Sequence, residues 1–309
     1  MSLLIAGFGD LGRQIAHEYF ETPGNIPGPV LALGRSVNQL ELAPGIRAIK
    51  ADLRDPDSLD NLPEDITHIV YCASADGADP EAYRAIYVDG LRNLLTKVKS
   101  PRPGRGPIGK RPLEHILEHH PRPSQPLQMV FVSSTAVYAK SLEGWVDEKS
   151  PTEPGRFNGQ IMLEAEILCR KMVPEAQILR LSGIYGPGRT YLLRRLMAGQ
   201  ATVPASSDFW ANRIHIEDAA RAALHLLNLT PGGETFIGTD CFPLPLREVY
   251  LDLAKRLNAP APAEAAPSAM MGRKRLSNRK LLDSGFEFRW PDSRTGYQTV
   301  IDSFDHAAQ

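Results

Sequence analysis

The sequence predicts an α/β fold built around a doubly wound parallel sheet. Two observations support this prediction: short apolar runs alternate with longer segments of helical periodicity, and the first run leads directly into a glycine-rich turn. Continuous apolar runs of this length are typical of parallel strands that are buried on both faces. The predicted strands are Leu3–Ala6, Val30–Leu33, Ile46–Lys50, His68–Cys72, Met129–Ser133 and Gln177–Leu181. The predicted helices are Leu11–Glu21, Pro80–Val98, Gln160–Met172, Tyr191–Ala198, Ile216–Leu227 and Leu246–Leu257.

Composition and charge exclude several classes of protein. The chain has 309 residues with 35 Lys and Arg against 36 Asp and Glu, so its formal charge of −1 argues against sequence-independent binding of nucleic acid. A hydrophobic fraction of 42% and a charged fraction of 23% are typical of a soluble globular protein. No apolar run approaches the ~18 residues that cross a bilayer, so the chain is not expected to be a membrane protein.

The cysteines indicate the compartment. Cys72, Cys169 and Cys241 are too few and too widely spaced for a disulfide framework or a C-x-x-C metal site. We therefore expect a reducing, cytoplasmic location and predict no metal site. Residues 1–6 lack a basic leader and are predicted to form the first strand and not a signal peptide.

Two segments interrupt the alternation of strands and helices. Lys99–Pro126 is rich in proline and basic residues, so we predict a surface insertion with a short helix at Leu113–His120. Its positive charge suits a diphosphate-bearing substrate or a partner, and a solvated loop is the alternative. Ala259–Ala269 is rich in Pro and Ala and is predicted to be a linker.

The turn after the first predicted strand reads Gly7-Phe8-Gly9-Asp10-Leu11-Gly12. A G-x-G-x-x-G between a strand and a helix is the fingerprint of a Rossmann dinucleotide-binding site. Gly7 allows the tight turn, Gly9 lets the backbone approach a pyrophosphate, and Gly12 lets the helix pack closely on the strand. The amide groups of the first helical turn, which holds Asp10 and Leu11, then face the phosphates.

The end of the second predicted strand indicates which cofactor binds. An acidic residue there would accept hydrogen bonds from the ribose 2′-hydroxyl of NAD, whereas this chain has Arg35 and Ser36, which suit the 2′-phosphate of NADP. NADP is therefore the predicted cofactor and NAD stays possible, since Arg35 could instead stack on adenine or face solvent. Asp52 is predicted to contact the adenine amino group, and a helix N-cap is its alternative role.

Further motifs occur in a fixed order along the chain. They are Ala51-Asp52-Leu53, Tyr71-Cys72-Ala73-Ser74-Ala75, Val132-Ser133-Ser134-Thr135-Ala136-Val137-Tyr138, Leu179–Arg189, Arg213–Asp218, Arg275–Asn278 and Gly285-Phe286. With the glycine motif, they resemble the extended and atypical short-chain dehydrogenase/reductases, which form the NAD(P)-dependent epimerase/dehydratase family. The resemblance spans nearly the whole chain, and only Lys99–Pro126 has no counterpart.

The resemblance implies a domain organisation and further site residues. It implies an NAD(P)-binding Rossmann core over residues 1–180 and a small substrate-binding lobe over most of residues 181–309, with residues 214–237 returning to the core. It adds Leu53, Ala73 and Ser74 to the cofactor-binding residues, and it places Ser182, Tyr185, Arg189 and His215 near the substrate. It also implies a homodimer that forms through the helices at residues 80–98 and 160–172.

The catalytic residues of the resembled family are incomplete in this chain. Those enzymes exchange a proton with the substrate through a Tyr-x-x-x-Lys pair, while an upstream Ser or Thr orients the substrate oxygen. Ser134 matches the Ser/Thr position, but the alignment places Asn158 at the tyrosine and Met162 at the lysine. An amide does not exchange a proton at neutral pH and a thioether carries no charge. Ordinary alcohol–ketone interconversion through that pair is therefore not expected.

Three other residues are candidates for proton transfer. Tyr138 follows the segment of Ser134, Tyr185 follows the sixth predicted strand, and His215 is a histidine, a residue type that ordinarily titrates near neutral pH. Packing or backbone contacts are the alternative for each. Two functions stay open. One is an NAD(P)-binding epimerase/dehydratase-like or reductase-like enzyme that acts on a hydroxylated small molecule, a nucleotide sugar being one candidate. The other is a catalytically silent redox sensor or interaction protein that binds NADP(H).

Overall fold

The computed structural model of the chain describes residues 1–22, 28–99, 126–267 and 272–308. The strands are β1 (Ser2–Ala6), β2 (Val30–Gly34), β3 (Ile46–Lys50), β4 (Ile66–Tyr71), β5 (Gln128–Ser134), β6 (Gly144–Val146), β7 (Gln177–Leu181), β8 (Gly183–Tyr185), β9 (Thr202–Val203), β10 (Trp210–Ala211), β11 (Arg213–His215), β12 (Thr235–Gly238), β13 (Leu244–Pro245), β14 (Ala263–Glu264) and β15 (Lys274–Leu276). The helices are α1 (Asp10–Glu21), α2 (Pro80–Arg84), α3 (Leu91–Lys99), α4 (Phe157–Met172), α5 (Tyr191–Met197), α6 (Ile216–Leu227), α7 (Leu246–Arg256), α8 (Arg279–Asp283) and α9 (Ser293–Ala308).

A parallel sheet in the order β12-β7-β5-β4-β1-β2-β3 is the centre of the described structure. The strand order runs in opposite directions from β1, which is the arrangement of a doubly wound Rossmann sheet. The predicted fold class is therefore confirmed. Each of the six predicted strands has its counterpart in this sheet, and most of their apolar residues are buried, whereas those of the edge strand β3 are partly exposed.

Helices cover both faces of the sheet. Alternate residues of each strand point to opposite faces, so Leu4 packs with α3 and α4, whereas Leu3 and Ile5 pack with α1 and α6. A third apolar cluster, formed by residues of α5, α7 and α9 around Tyr185, lies in the C-terminal part of the chain. No helix within the described ranges is long and apolar enough to cross a membrane.

The structure adds elements that the sequence pattern did not predict. The strand β12 pairs with β7 at the edge of the sheet, and α8 and α9 follow near the C-terminus. The predicted linker Ala259–Ala269 contains β14, which pairs with β9, so that part of the prediction is wrong. The prediction of an insertion with a helix at Leu113–His120 falls on residues 100–125, outside the described residues. The division of the chain at residue 180 and the homodimer stay predictions.

The helical run after β4 contains a local irregularity. The predicted helix Pro80–Val98 is present as α2 and α3, but Ala85–Gly90 between them has π-helical hydrogen bonding. The buried Tyr71 hydroxyl donates a hydrogen bond of 2.6 Å to the Ile86 carbonyl. A side chain that binds a backbone carbonyl competes with the helical ladder, and single π-turns often occur at functional sites.

A buried ion pair joins α4 to the sheet. Arg180 of β7 donates to the Glu166 carboxylate with Nε–Oε1 3.0 Å and Nη2–Oε2 2.7 Å, and the two side chains are only 7% and 6% exposed. Ser133 of β5 donates to the same carboxylate at 2.5 Å, and Arg180 donates to the Tyr138 hydroxyl at 2.9 Å. These hydrogen bonds satisfy both buried charges and connect α4 with β5 and β7.

Glu166→Ala is expected to lower the free energy of unfolding by ~3 kcal/mol, because it leaves the Arg180 guanidinium buried without its counter-ion. Glu164→Ala on the same helix is the matched control, since its ion pair with Arg84 is 44% and 49% exposed. Loss of that exposed pair should cost less than ~1 kcal/mol. Urea unfolding measures both changes. Equal losses in the two variants would contradict the anchoring role of Glu166.

Candidate functional site

A cleft of about 680 Å³ opens at the carboxyl edge of the central sheet, next to the reversal of strand order between β1 and β4. Ligands of doubly wound α/β proteins bind at this edge. The residues that were predicted from sequence and line the cleft are Gly7, Gly9, Asp10, Leu11, Arg35, Ser36, Asp52, Leu53, Ala73, Ser74, Ser134, Ser182 and Arg189. Most of them end or closely follow strands of the central sheet, so the fold brings residues that are distant in sequence to one cleft.

The glycine turn lies at the base of the cleft. A Cβ at Gly7, whose φ is +103°, would lie 2.4 Å from the Ala73 backbone, and a Cβ at Gly12 would lie 2.3 Å from the Gly7 carbonyl oxygen. These two glycines are therefore required by close approaches within the protein. Among the residues that the structure describes, a Cβ at Gly9 would meet no atom within 4 Å, and no side chain caps the amides at the start of α1. Open space and uncapped amides together suit a phosphate group.

Four charged side chains form a network at the end of the cleft near β2 and β3. Arg35 donates to Asp76 through two hydrogen bonds of 2.7 and 2.5 Å. Arg54 binds Asp52 through Nε–Oδ1 2.9 Å and Nη2–Oδ2 2.6 Å, and it also reaches Asp76 at 3.4 Å. The hydrogen bond from the Arg54 side chain lowers the pKa of Asp52. Asp52 is not a helix N-cap, because the next helical turn, Asp57–Leu59, is preceded by Pro56.

The other end of the cleft holds Ser134, Ser182, Met162 and Tyr87. The Ser134 hydroxyl oxygen accepts a hydrogen bond of 3.1 Å from the Ala136 amide, so its own proton is available to a ligand. The Ser182 hydroxyl is buried and has no hydrogen-bond partner among the described residues. The apolar side chain of Met162 lines the position that the alignment assigns to a lysine.

The structure corrects the prediction for Tyr138. This side chain is 2% exposed, lies outside the cleft lining and is bound at its hydroxyl by Arg180. Burial raises the pKa of Tyr138 to about 12. The polypeptide turns through Thr135–Val137 after Ser134, and that turn directs Tyr138 into the core behind the cleft. Tyr138 is therefore a structural residue.

The predictions for Tyr185 and His215 are corrected as well. Tyr185 and His215 are buried, stack edge-to-face at 5.1 Å, and do not line the cleft. His215 accepts a hydrogen bond from the Glu217 amide as the N-cap of α6, and burial lowers its pKa to about 4. Asn158 lies in the first turn of α4, outside the cleft lining. Tyr185 and His215 therefore have core positions away from the cleft.

Asp76 and Tyr87 are two polar residues of the cleft lining that sequence reasoning missed. Asp76 follows β4 within a few residues, so its place at the carboxyl edge of the sheet could have indicated it. Tyr87 lies inside a helical segment, where nothing in the pattern distinguishes a residue that faces a ligand from one that faces the core. Its place in the cleft follows from the packing of that segment on β4 and α4.

The fold and the cleft define a Rossmann-type protein with a site for a nicotinamide dinucleotide. Three observations fit such a cofactor: the open space at Gly9, the uncapped start of α1, and two buried polar atoms in the cleft residues Ser182 and Arg189, Oγ and Nε, that have no partner among the described residues. The chain belongs to the NAD dependent epimerase/dehydratase family, whose family model matches residues 3–237. The family consists of nicotinamide-dependent enzymes, and the predicted resemblance is confirmed.

Solved structures agree with this assignment. An NAD-dependent epimerase/dehydratase of Methylobacillus flagellatus is 32% identical, with 98% of each chain covered and a TM-score of 0.73. The UDP-glucose 4-epimerase of Thermotoga maritima, solved with UDP-glucose, is 15% identical over the full length of both chains with a TM-score of 0.76. The UDP-glucuronic acid 4-epimerase of Bacillus cereus, solved with UDP-glucuronic acid and NAD, is 16% identical over 99% of this chain and 100% of its own, with a TM-score of 0.77. The last two show similarity of fold. No curated protein matches the sequence.

Gly9→Ala is expected to weaken NAD(P)H binding by ~10-fold or more, because its methyl group would enter the space that the protein leaves open beside α1. Its melting temperature should stay within ~2 °C of the wild type, since that methyl group meets no protein atom. Gly7→Ala is the contrasting variant and should lower the melting temperature, because its methyl group would meet the Ala73 backbone. Fluorescence titration and thermal unfolding separate the two effects. A Gly9→Ala variant with unchanged affinity would contradict the proposed place of the phosphates.

Proposed function

We propose that the protein is an NADP-preferring enzyme that interconverts an alcohol and a carbonyl group, or epimerises a carbon, on a hydroxylated small molecule. A nucleotide sugar is the proposed substrate class, because structures of similar fold were solved with UDP-sugars. We also propose a cytoplasmic location, which the three free cysteines favour. The predicted homodimer is part of the same proposal.

The observation that carries the proposal is the pair of serine hydroxyls in the cleft. Ser134 at the end of β5 and Ser182 after β7 face the same cavity as the glycine turn. The Ser182 hydroxyl is buried without a partner in the described ranges of the chain, which is costly unless a ligand supplies a hydrogen bond. A protein that only bound the phosphates and adenosine of a dinucleotide would have no use for polar groups at this end of the cleft.

A bound nicotinamide would supply or accept the two electrons and the hydrogen that form or break a C–H bond. Gly7, Gly9 and the start of α1 would hold the pyrophosphate, and Arg35 would face the ribose phosphate. Ser134 would donate a hydrogen bond to the substrate oxygen and thereby fix its orientation. Met162 adds no charge and excludes water from its part of the wall, so the acid/base group must differ from the Tyr-x-x-x-Lys pair.

A second function is favoured by one specific observation. The residue that lines the cleft at the lysine position is Met162, and Asn158 at the tyrosine position lies outside the lining. A site that lost its proton-transfer pair could serve as a redox sensor, which binds NADP(H) and presents a different surface in each redox state. In that case the hydroxyls in the cleft would only orient the nicotinamide.

The experiment is NADPH oxidation with a panel of carbonyl compounds and nucleotide sugars. Turnover is expected with at least one of them, and Ser134→Ala should lower kcat/KM by ~10² or more because the substrate oxygen loses its donor. Ser206→Ala removes an exposed hydroxyl outside the cleft and should leave turnover unchanged. Tight NADP(H) binding without turnover, together with a partner captured in one redox state only, would instead establish the sensor.

The preference for NADP rests on Arg35 and its partner. The ion pair of Arg35 with Asp76 is half-exposed, and pairs of this kind contribute less than ~1 kcal/mol. A 2′-phosphate carries more charge than a carboxylate and offers three acceptor oxygens, so it would displace Asp76 from the guanidinium. Asp76 then competes with the 2′-phosphate for the Arg35 guanidinium. This competition reduces the affinity for NADP and leaves the affinity for NAD unchanged.

Arg35→Ala is expected to weaken NADPH binding by ~10-fold, because the phosphate loses its bidentate donor, while NADH binding changes little. Asp76→Asn should strengthen NADPH binding several-fold, and the gain should shrink at high salt because the charges are exposed. Asp283→Asn, which removes an exposed carboxylate of α8, is the charge control. The preference for NADP would be wrong if NADH bound as tightly as NADPH or if Arg35→Ala left the ratio unchanged.

A further inference from the structure

The Ser134 end of the cleft contains few groups that can exchange a proton. The lining residues there that carry one are Cys72, Ser74, Tyr87, Ser133, Ser134 and Ser182. Serine hydroxyls need an adjacent base before they give up a proton. Within the described part of the chain, Tyr87 is the one tyrosine that lines the cleft.

Two of the other groups are committed to the protein. Ser133 donates its proton to Glu166 at 2.5 Å, within the ion pair of α4 and β7. The Cys72 thiol donates to the Gly7 carbonyl at 3.2 Å, and burial raises its pKa to about 12. Neither group can release its proton to a ligand without breaking a contact that holds the sheet or the glycine turn.

The position of Tyr87 is set by the irregular helical segment. Tyr87 lies in Ala85–Gly90, where the Tyr71 hydroxyl binds the Ile86 carbonyl and the backbone departs from α-helical hydrogen bonding. On its own helix the ring packs on Tyr83 at a centroid distance of 5.3 Å. The Ala75 backbone, in the loop that also carries Ser74 and Asp76, hydrogen-bonds to the phenol. The side chain is thus held from two sides while it lines the cleft.

We propose that the phenol of Tyr87 is the proton-transfer group of this site, in place of the missing Tyr-x-x-x-Lys pair. This inference rests on the proposed function. In carbonyl reduction the Tyr87 O–H bond breaks and an O–H bond forms on the substrate oxygen, while the nicotinamide cofactor supplies the other hydrogen and both electrons. Solvent then returns a proton to the phenolate. In the oxidative direction the same proton moves from the substrate hydroxyl to the phenolate.

The groups around Tyr87 determine the direction of proton transfer that it favours. The pKa of Tyr87 is raised to about 12, chiefly by burial and to a lesser extent by neighbouring Tyr83, while the Ala75 hydrogen bond opposes the rise. Tyr71 faces it from β4 and is itself neutral, because burial raises its pKa. Met162 is the residue of α4 that lines the cleft. The ion pair between Glu164 of α4 and Arg84 lies at the protein surface. With no cation at the lysine position, Tyr87 keeps its proton at neutral pH and acts as an acid.

The test uses the charge difference between the two forms of the cofactor. The oxidised nicotinamide ring carries a positive charge that the reduced ring lacks, and such a charge within ~6 Å lowers the pKa of an acid by ~1 to 3 units. We would titrate protein labelled with ¹³Cζ-tyrosine by NMR with oxidised and with reduced cofactor. One phenol should titrate at least ~1 unit lower with the oxidised form. That resonance should be absent in Tyr87→Phe and present in Tyr83→Phe.

A second measurement separates proton transfer from packing. With the substrate identified by the panel, Tyr87→Phe should lower kcat by ~10² to 10⁴, while the cofactor Kd and the melting temperature stay close to those of the wild type. Tyr83→Phe should retain kcat. If both cofactor forms bind but no phenol responds to the redox state, or if Tyr87→Phe keeps full kcat, the role of Tyr87 is wrong. If neither cofactor form binds, the proposed function fails as a whole.

Discussion

The close approach of Gly7 to the backbone of Ala73 is the constraint on which the site depends. With a Cβ only 2.4 Å from that backbone, no side chain can stand at position 7, so β1 turns sharply into α1 against the end of β4. That turn puts the uncapped start of α1 at the reversal of strand order, where the cleft opens. Gly12 has a related role, because the absence of a Cβ there lets α1 lie against the Gly7 carbonyl oxygen. The open space at the start of α1, which suits a phosphate group, is thus a consequence of backbone contact and not of any charged side chain.

The buried Glu166–Arg180 pair has the corresponding role on the other side of the cleft. It connects α4 with β5 and β7, whose ends carry Ser134 and Ser182. The same arginine binds the Tyr138 hydroxyl, which explains why a tyrosine four residues after Ser134 is a core residue and not a catalytic one. The same network therefore supports the strand end that carries Ser134 in the cleft lining and holds Tyr138 in the core.

Met162 occupies the position where the family pattern has a lysine, so the Ser134 end of the cleft lacks that positive charge. A cation there would lower the pKa of a nearby phenol, whereas an apolar side chain leaves burial as the dominant effect. Tyr87 reaches the cleft from the helical run that follows β4, on a different element from the residue that the family pattern would supply. A proton held at Tyr87 at neutral pH fits carbonyl reduction better than alcohol oxidation, and it also suits a preference for NADP.

The amino-acid sequence by itself determined the sheet, the glycine turn and the family, because buried parallel strands and a G-x-G-x-x-G turn are local patterns that do not depend on distant residues. It also indicated Arg35, Ser134 and the loss of the Tyr-x-x-x-Lys pair. Only the tertiary structure decided which polar residues face the cleft. Tyr138 follows the same strand end as Ser134, and Tyr185 and His215 end β8 and β11, yet each is buried by contacts with elements far away in the chain. Tyr87 and Asp76 enter the cleft for the same reason, since long-range packing sets the direction of a side chain and sequence spacing does not.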